Sequence, residues 1–305
     1  MKISIIGYKN HALRLKKCLN DQGYDNIFNY NHHKHEIKDI LDSEIFLISS
    51  PNETHVDWIR KLSLTGKPIF CEKPPFVKEE DLPELEKYRR NLFFNFNYRF
   101  SYLIKIIENF ENSKELGSII NIHCVSCHGL AFKPSYKNDW RFKSKNFFSS
   151  IVGNLGIHYI DLILYILKKP KSINIDYVSI SSSKLPDTCK LNLIFDNSFA
   201  DIFLSYSTAF QNKIEIFYEN GILVLSNGEI SLLSPRDTFD DHGFFKTPNQ
   251  KILKKFINSR AYFDNSIVES LKYFMDHAVN KKNQSKKHYD QSILSTSTML
   301  SLNKY

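Results

Sequence analysis

A lysine stands at the end of a short apolar strand in residues 69–75, where an Ile-Phe-Cys run stops at an acid, Lys73 and two prolines. An open α/β sheet binds ligands beyond the carboxyl ends of its strands, so this lysine predicts a ligand contact. Further along, Asn154, His158 and Asp161 have the spacing i, i+4, i+7, which places them on one face of a helix. Together the two segments predict a polar site in a cleft between two parts of the chain.

These side chains suit the oxidation of a secondary alcohol. A histidine, with an unperturbed pKa of about 6.5, can take the hydroxyl proton at neutral pH. A lysine ammonium stabilises the negative charge that develops on the oxygen. Side chains cannot carry hydride, so the chemistry also requires a cofactor.

Composition predicts a globular protein of two domains. The chain has 305 residues, of which 42% are hydrophobic and 24% charged. The formal charge of +8 is spread among interleaved acids and bases, which favours a small anionic ligand over nucleic acid. The N-terminal apolar run is too short for a signal peptide. Residues 151–167 are too short and too polar to span a bilayer. The five cysteines are an odd number, which argues against a disulfide framework. We therefore expect a soluble, cytoplasmic protein that binds neither nucleic acid nor membrane.

Hydrophobic patterning changes near Tyr98. Before it, strands alternate with helices, which predicts a doubly wound parallel sheet; the predicted strands are 2–6, 26–30, 45–49, 68–71 and 92–96. After it, hairpin-type turns such as Asn227-Gly228 separate short strands, which predicts a largely antiparallel sheet. Predicted helices cover 154–167, 266–279 and 290–302. The expected fold is α/β: a Rossmann-type dinucleotide-binding domain at 1–98 and an α+β substrate-binding and oligomerisation domain with an open antiparallel sheet at 99–305.

An ordered set of motifs resembles the Gfo/Idh/MocA family of nicotinamide-dependent oxidoreductases. The Glu-Lys-Pro and Gly-x-His-x-x-Asp pieces are the most specific, and the pieces follow the order and about the spacing of the family. The matching segments are residues 3–7, 49–55, 66–74, 97–100, 116–119, 140–141 and 156–162.

The resemblance implies roles for individual residues. Lys73 falls beside the nicotinamide and the reacting carbon, and His158 falls on the catalytic histidine. Asn154 falls on a position that is usually Asp, although some sugar-nucleotide branches also have Asn there. The implied substrate-binding residues are Tyr98, Arg99, Trp140, Arg141, Asn154 and Asp161.

The same resemblance implies a dinucleotide site whose glycine fingerprint is altered. Of the three glycines in the pattern Gly-x-Gly-x-x-Gly, residues 7–12 keep only the first, Gly7. At the second position, the Cβ of Lys9 obstructs the approach of the backbone to a pyrophosphate. At the third position, Ala12 is a mild change from glycine. The polar and basic residues 31–35 replace the usual acid and suit a 2′-phosphate, so NADP is preferred to NAD, although a solvated surface loop is an equal alternative. The implied cofactor-binding residues are Gly7, Tyr8, Lys9, Ala12, Asn31, His32, Ser49, Ser50, Pro51, Asn52, His55, Glu72 and Lys73.

Each of these residues also has an ordinary structural interpretation. Lys73 alone is typical of a surface lysine at a strand end, and His158 of a hydrogen-bonded core histidine. Asp161 serves equally well to anchor backbone, while Arg99 and Arg141 are ordinary candidates for salt bridges. Their combination and order favour the functional interpretation.

A metal or haem site is a further alternative. Residues 124–128 read Cys-x-x-Cys-His, the spacing of c-type haem attachment, and residues 31–35 are rich in histidine. The cysteines lie in a predicted strand, where residues three apart point to opposite faces. We therefore predict no metal site.

The sequence thus predicts an NAD(P)-dependent dehydrogenase or reductase that acts on a carbohydrate, cyclitol or sugar nucleotide as a homodimer or homotetramer. The alternative is a catalytically degenerate family member that acts as a binding or interaction protein. Lys9, Ala12 and Asn154 favour the alternative, and the altered glycine loop separates the two.

Overall fold

Short apolar runs that end at turn-forming residues make the strands of the first part of the chain. In the computed structural model, which describes residues 1–143 and 146–302, five such runs form a parallel sheet with the order β2-β1-β3-β4-β5. Every residue of β1 and β3 is buried, as expected for apolar runs in a sheet covered on both faces. The predicted Rossmann-type sheet is confirmed. Its strands are β1 (Ile3–Ile6), β2 (Ile27–Tyr30), β3 (Ile45–Ile48), β4 (Ile69–Glu72) and β5 (Leu92–Asn95).

The strand order reverses at β1, which pairs with β2 on one side and with β3 on the other. In a doubly wound sheet, a ligand binds in the crevice beyond the carboxyl ends of the strands at such a reversal. The helices α1 (Asn10–Asn20), α2 (His55–Ser63) and α3 (Leu82–Lys87) follow β1, β3 and β4. The residues directly after β1 and β3 therefore mark the place where a ligand is expected.

The second sheet alternates buried and exposed residues along its strands, as a sheet with one covered face does. Its order is β13-β12-β11-β10-β6-β9-β8-β7. Among the described strands, β6 and β9 run parallel and the other neighbouring pairs run antiparallel, which confirms the predicted largely antiparallel sheet. The strands are β6 (Ile119–Cys127), β7 (Ser172–Val178), β8 (Thr188–Ile194), β9 (Phe199–Ser205), β10 (Gln211–Tyr218), β11 (Gly221–Ser226), β12 (Glu229–Leu233) and β13 (Gln250–Lys255).

In the described part of the chain, three helices lie before or between the strands of this sheet, and two more follow it. The first three are α4 (Tyr102–Ser113), α5 (Trp140–Lys143) and α6 (Ile157–Leu167), and the later two are α7 (Ser259–Val279) and α8 (Lys286–Ser301). Over the residues that the structure describes, no helix combines the length and the apolar character needed to cross a bilayer.

By packing, the chain forms two compact units. The first comprises Met1–Asn97 with the segment that begins at Ile267, and the second comprises Tyr98–Ser266. In the first unit Phe274 of α7 lies 5.4 Å from Phe70, measured between ring centroids, and Tyr289 of α8 lies 5.7 Å from Phe94. The C-terminal helices thus pack with the first sheet, although the sequence placed them in the domain 99–305. The division into a cofactor domain and a substrate domain stays a prediction.

Candidate functional site

The ends of β1 and β3 approach each other closely at Gly7. Gly7 has a φ of +148°, and a Cβ atom added to it would lie 2.7 Å from the carbonyl oxygen of Ser49. Both the backbone conformation and the lack of space therefore require glycine. Two of the predicted cofactor residues, Gly7 and Ser49, adjoin each other at the reversal of the sheet.

Helix α1 presents its first turn at the same edge. In the described chain its N-cap residue, Lys9, makes no side-chain capping bond, and no acidic residue lies in the first turn. The first N–H groups of a helix have no partner within it and attract anions. Lys9 is exposed, and the buried Ala12 lies 3.3 Å from the position of an added Gly7 Cβ. Ala12 therefore keeps the helix close to the strand, while Lys9 adds a positive charge, and the arrangement fits a phosphate group.

The loop after β2 places two predicted cofactor residues, Tyr8 and His32, near each other. The Tyr8 ring lies 6.3 Å from the His32 ring and 6.3 Å from the His33 ring. The loop is held by its own hydrogen bonds: the Asn31 N–H donates to His35 Nδ1 over 3.0 Å, and the His33 N–H donates to Asn31 Oδ1 over 3.0 Å. This edge of the first unit therefore combines an aromatic ring with imidazoles, groups that suit an adenine and a phosphate.

His55 anchors the turn that follows β3. It is fully buried, with Nδ1 2.8 Å from the Pro74 carbonyl oxygen and Nε2 3.0 Å from the Ser50 carbonyl oxygen. Burial lowers the pKa of His55, although the two carbonyl groups oppose this effect. His55 thus ties the predicted cofactor turn, which also contains Pro51 and Asn52, to the residue after Lys73.

A largely buried carboxylate precedes Lys73. The Glu72 side chain is 12% exposed, and its Oε1 lies 2.7 Å from His11 Nε2 and accepts a 2.8 Å hydrogen bond from Asn95 Nδ2. Burial alone raises the pKa of Glu72, but His11, the Asn95 hydrogen bond and the Lys73 charge outweigh it and lower the pKa to about 2. Lys73 itself is half-buried and joined to Pro74 by a cis peptide bond.

In the second unit, the predicted helix 154–167 begins with a π-helical turn, Val152–Gly156, and continues as α6. Gly153 in this turn is tightly packed. A Cβ on Gly153 would lie 2.5 Å from the Phe147 carbonyl oxygen and closer still to Phe148 Cα, so the turn packs directly on backbone. π-Helical turns are rare and are frequent at functional sites.

Asn154 lies within this turn and is half-buried. Its Nδ2 donates a 3.1 Å hydrogen bond to the hydroxyl of Tyr206, which in turn stacks on the His128 ring at 4.7 Å. The predicted catalytic position thus belongs to a group of polar and aromatic side chains. Sequence reasoning did not single out Tyr206.

His158 is half-buried and packs face to face on an aromatic ring. Its ring lies 4.7 Å from that of Tyr98, and the two planes are tilted by 22°. Tyr98 also stacks on Phe263 at 5.1 Å and meets Tyr159 edge to face. Burial raises the pKa of Tyr98 well above its usual range, so it stays a neutral phenol. Tyr98 therefore orients the imidazole.

Arg99 and Asp161 form a salt bridge in which both side chains are 1% exposed. Arg99 Nε donates to Asp161 Oδ2 over 2.9 Å and to Oδ1 over 3.1 Å, and Nη2 donates to Oδ1 as well. This is the salt-bridge alternative for Arg99 that the sequence left open. The pair joins the segment after β5 to the helix that carries His158.

Two further sequence predictions concern Trp140 with Arg141 and the cysteines of residues 124–128. The side chains of Trp140 and Arg141 lie outside the described part of the structure. Cys124 and Cys127 of β6 are buried free thiols, and burial raises the pKa of each. Among the described residues, no three His, Cys, Asp or Glu side chains are grouped to hold a metal ion.

His11 and Asn95 were missed by sequence reasoning. His11 precedes the buried Leu15 and Leu19 at spacings of four residues, so it lies on the inward face of α1. A histidine on such a face needs a polar partner, and that signal could have identified it. Its partner, Glu72, is far along the chain and could be found only from the fold.

Comparison with known proteins gives two family matches. Residues 7–91 match an oxidoreductase family model described as an NAD-binding Rossmann fold, and residues 106–224 match the GFO/IDH/MocA C-terminal domain. The chain belongs to the Gfo/Idh/MocA oxidoreductase family. The resemblance inferred from the motifs is thereby confirmed.

Curated relatives in the family align over less than half of the chain. Glucose-6-phosphate 3-dehydrogenase of Bacillus subtilis is 28% identical over 140 residues, which cover 43% of this chain and 39% of the relative. Levoglucosan dehydrogenase of Pseudarthrobacter phenanthrenivorans is 24% identical over 142 residues, covering 45% and 36%. The chain is matched to well under half the length of each relative.

Solved structures in the family resemble the whole chain in fold. An oxidoreductase from Agrobacterium radiobacter in complex with NAD+, L-tartaric acid and magnesium superposes with a TM-score of 0.75 at 15% identity, over 99% of this chain and 94% of its own. An inositol dehydrogenase homologue from Azotobacter vinelandii, complexed with NADH and myo-inositol, has a TM-score of 0.76 at 13% identity, over 98% and 93%. At such identities the likeness shows the shared fold.

Proposed function

We propose that this protein is an NAD(P)-dependent dehydrogenase or reductase that moves hydride to or from a secondary alcohol or ketone of a carbohydrate, cyclitol or sugar nucleotide. One observation carries the proposal. Lys73 follows an ionised, largely buried Glu72 at the carboxyl edge of a parallel sheet, at the strand end of the family's Rossmann domain. Ligands bind at that edge, so a lysine there is placed for chemistry.

The first unit has groups that fit a dinucleotide. The first turn of α1, with Gly7 and the exposed Lys9 beside it, would hold the pyrophosphate. The imidazoles of His32 and His33, close to Tyr8, would hold a 2′-phosphate, so NADP is the preferred cofactor and NAD the second choice. When bound, the nicotinamide exchanges the hydride that no side chain can carry.

The proposed reaction uses Lys73 and His158 together. In the oxidation direction an imidazole nitrogen of His158 takes the hydroxyl proton while hydride leaves the carbon. The Lys73 ammonium donates a hydrogen bond to the oxygen and stabilises its developing negative charge. Tyr98 holds the imidazole plane, and the neutral Asn154 contributes hydrogen bonds without a charge of its own.

Polar and aromatic side chains around Asn154 support a polyhydroxylated substrate. The amide of Asn154 and the hydroxyl of Tyr206 are adjacent, and Tyr206 stacks on His128. Amides and hydroxyls both donate and accept hydrogen bonds, which matches the hydroxyl groups of sugars and cyclitols. Several solved neighbours are named inositol dehydrogenases, and that substrate class is the first to test.

A titration followed by one substitution tests the proposal. NADPH and NADH are titrated by nicotinamide fluorescence, and turnover is then screened with sugars, cyclitols and sugar nucleotides. For Lys73→Ala we expect a fall in kcat of roughly a hundredfold or more, because the stabilisation of the oxygen is lost, with the Kd of NADPH changed only a few fold. Lys78→Ala, an exposed lysine in the same segment, is the matched control. Unchanged turnover in Lys73→Ala contradicts the mechanism.

The second candidate is a non-catalytic family member that acts as a binding or interaction protein. It is favoured by Lys9 and Ala12 in the fingerprint and by Asn154 at a position that is usually acidic. The same titration separates the two functions, since a degenerate member shows neither a fluorescence change with the reduced nucleotides nor turnover.

We also propose that the protein assembles as a homodimer or homotetramer in the cytoplasm. The outward face of the second sheet carries apolar side chains, among them Phe199 at 57% and Ile194 at 39% exposure. A groove of about 580 Å³ on this sheet is lined mostly by apolar residues, including Phe217 and Ile222. Apolar surface of this kind on one sheet face favours a subunit contact.

A further inference from the structure

The contact between His11 and Glu72 ties the start of α1 to the end of β4. His11 is the second residue of the helix, and Glu72 is the last residue of the strand. Their side chains meet at 2.7 Å, across a region where the family fingerprint relies on glycines. This bond therefore joins the anion-attracting turn to the residue directly before Lys73.

The partner atoms define where the His11 proton lies. An ionised carboxylate only accepts hydrogen bonds, so Nε2 of His11 carries a hydrogen and donates it to Glu72. Asn95 Nδ2 donates to the same oxygen over 2.8 Å. Two donors thus converge on one carboxylate oxygen.

The chain of hydrogen bonds continues into the interior of the first unit. Asn95 is 1% exposed, and its Oδ1 accepts a 2.7 Å bond from the Ser270 hydroxyl, which is fully buried. The Asn95 amide is therefore fixed in one orientation, with its N–H toward Glu72. Because Glu72 is held from behind, it forms a rigid support for His11.

The fingerprint explains why such a support matters here. Glycine at the second position would allow backbone approach to a pyrophosphate, but this chain has Lys9. The amides of the first turn must then be held in place by other contacts. His11 makes such a contact within that turn.

We propose that His11 is a positioning residue for the cofactor pyrophosphate: through its bond to Glu72 it fixes the first turn of α1 in the orientation that binds the anion. The inference rests on the proposed function, because it assumes that a dinucleotide binds. His11 itself lies between Lys9 and Ala12, which occupy the second and third glycine positions of the fingerprint.

Ligands with and without a pyrophosphate test the role. NADPH affinity is measured by fluorescence, and ADP-ribose and adenosine 2′-monophosphate are measured by displacement of NADPH. For His11→Ala we expect the Kd of NADPH and of ADP-ribose to rise roughly tenfold, with adenosine 2′-monophosphate unchanged, because only the first two contain the pyrophosphate. His11→Gln, whose side-chain amide can donate to Glu72, restores most of the affinity.

Two further variants sharpen the result. Lys16→Ala, on the same helix and bonded to the Ile27 carbonyl over 3.2 Å, is the matched control and keeps wild-type affinity. The double variant His11→Ala with Glu72→Gln should bind ADP-ribose no more weakly than whichever single variant binds it less tightly, since the two side chains act through one bond. Thermal unfolding confirms that each variant is folded.

Different outcomes overturn different claims. An unchanged ADP-ribose affinity in folded His11→Ala, or an equal loss for adenosine 2′-monophosphate, overturns the positioning role while the proposed function stands. A wild-type protein that binds none of the three nucleotides overturns the proposed function, and this inference with it.

Discussion

At the scale of single residues, the candidate site contains ionisable groups whose partners are already in place. Glu72 is supported by His11 and Asn95, and Arg99 is paired with Asp161. Removing one member of a buried pair leaves the other charge without compensation, at a cost of about 3–5 kcal/mol. Substitutions at Arg99 or Asp161 are therefore expected to act first on folding, which makes them poor probes of substrate binding.

His55 makes the stability of the protein depend on pH. Its folded pKa is lowered by burial from an unfolded value of about 6.5, so its stabilising effect is complete above that value and is lost as the pH falls below it. We expect the free energy of unfolding to drop as the pH falls from about 6.5 to 5.5, by up to about 1.4 kcal/mol per pH unit from this group. Urea unfolding at several pH values measures the slope.

Comparison with substituted proteins isolates the contribution of His55. His55→Gln should show a shallower slope than the wild type, although it is less stable overall. His242→Gln, which changes an exposed histidine, should keep the wild-type slope. A wild-type protein that gains stability as the pH falls through 6.5 would show that the two carbonyl groups hold His55 protonated and would refute the prediction.

At the scale of elements, sequence patterns predicted what depends on local signals. The five parallel strands are short apolar runs bounded by turns, and all were predicted to within two residues. β13 was missed because Gln250–Lys255 is an edge strand with three lysines and little alternation. The His11–Glu72 bond was missed because its partners are far apart in the sequence and meet only when α1 packs against the sheet that contains β4. The π-helical turn was also missed, and it contains a contact of Gly153 with backbone earlier in the chain that local patterns do not reveal.

That turn predicts an effect of a small substitution. Gly153→Ala places a Cβ 2.5 Å from the Phe147 carbonyl oxygen, so the backbone must shift. We expect a loss of about 1–3 kcal/mol in the free energy of unfolding, as for other overpacked sites. Gly129→Ala is the matched control, because its φ is −77° and its added Cβ would lie 3.7 Å from the Thr208 carbonyl oxygen. Equal stability of the two variants in urea would argue against tight packing at Gly153.

At the scale of the whole molecule, the apolar sheet face predicts assembly. Ile194 and Phe199 are directly paired across β8 and β9, and both point outward. We expect light scattering to show a dimer or tetramer, and Phe199→Asp to shift it toward monomer, because a charge would be buried in the contact. Leu64→Asp, at an exposed apolar residue of the first unit, should leave the mass unchanged. A monomeric wild type would exclude this assembly.

The parallel pairing of β6 with β9 has a consequence for how the protein acquires its activity. Residues 128–198, which include the π-helical turn and His158, form the connection between these two strands. Pairing between strands so far apart in the chain is non-local and therefore slow to form. The segment that contains the residue proposed for proton transfer is therefore also the connection that must be in place before β6 and β9 can pair. A substitution within it is therefore expected to act on proton transfer, on folding, or on both.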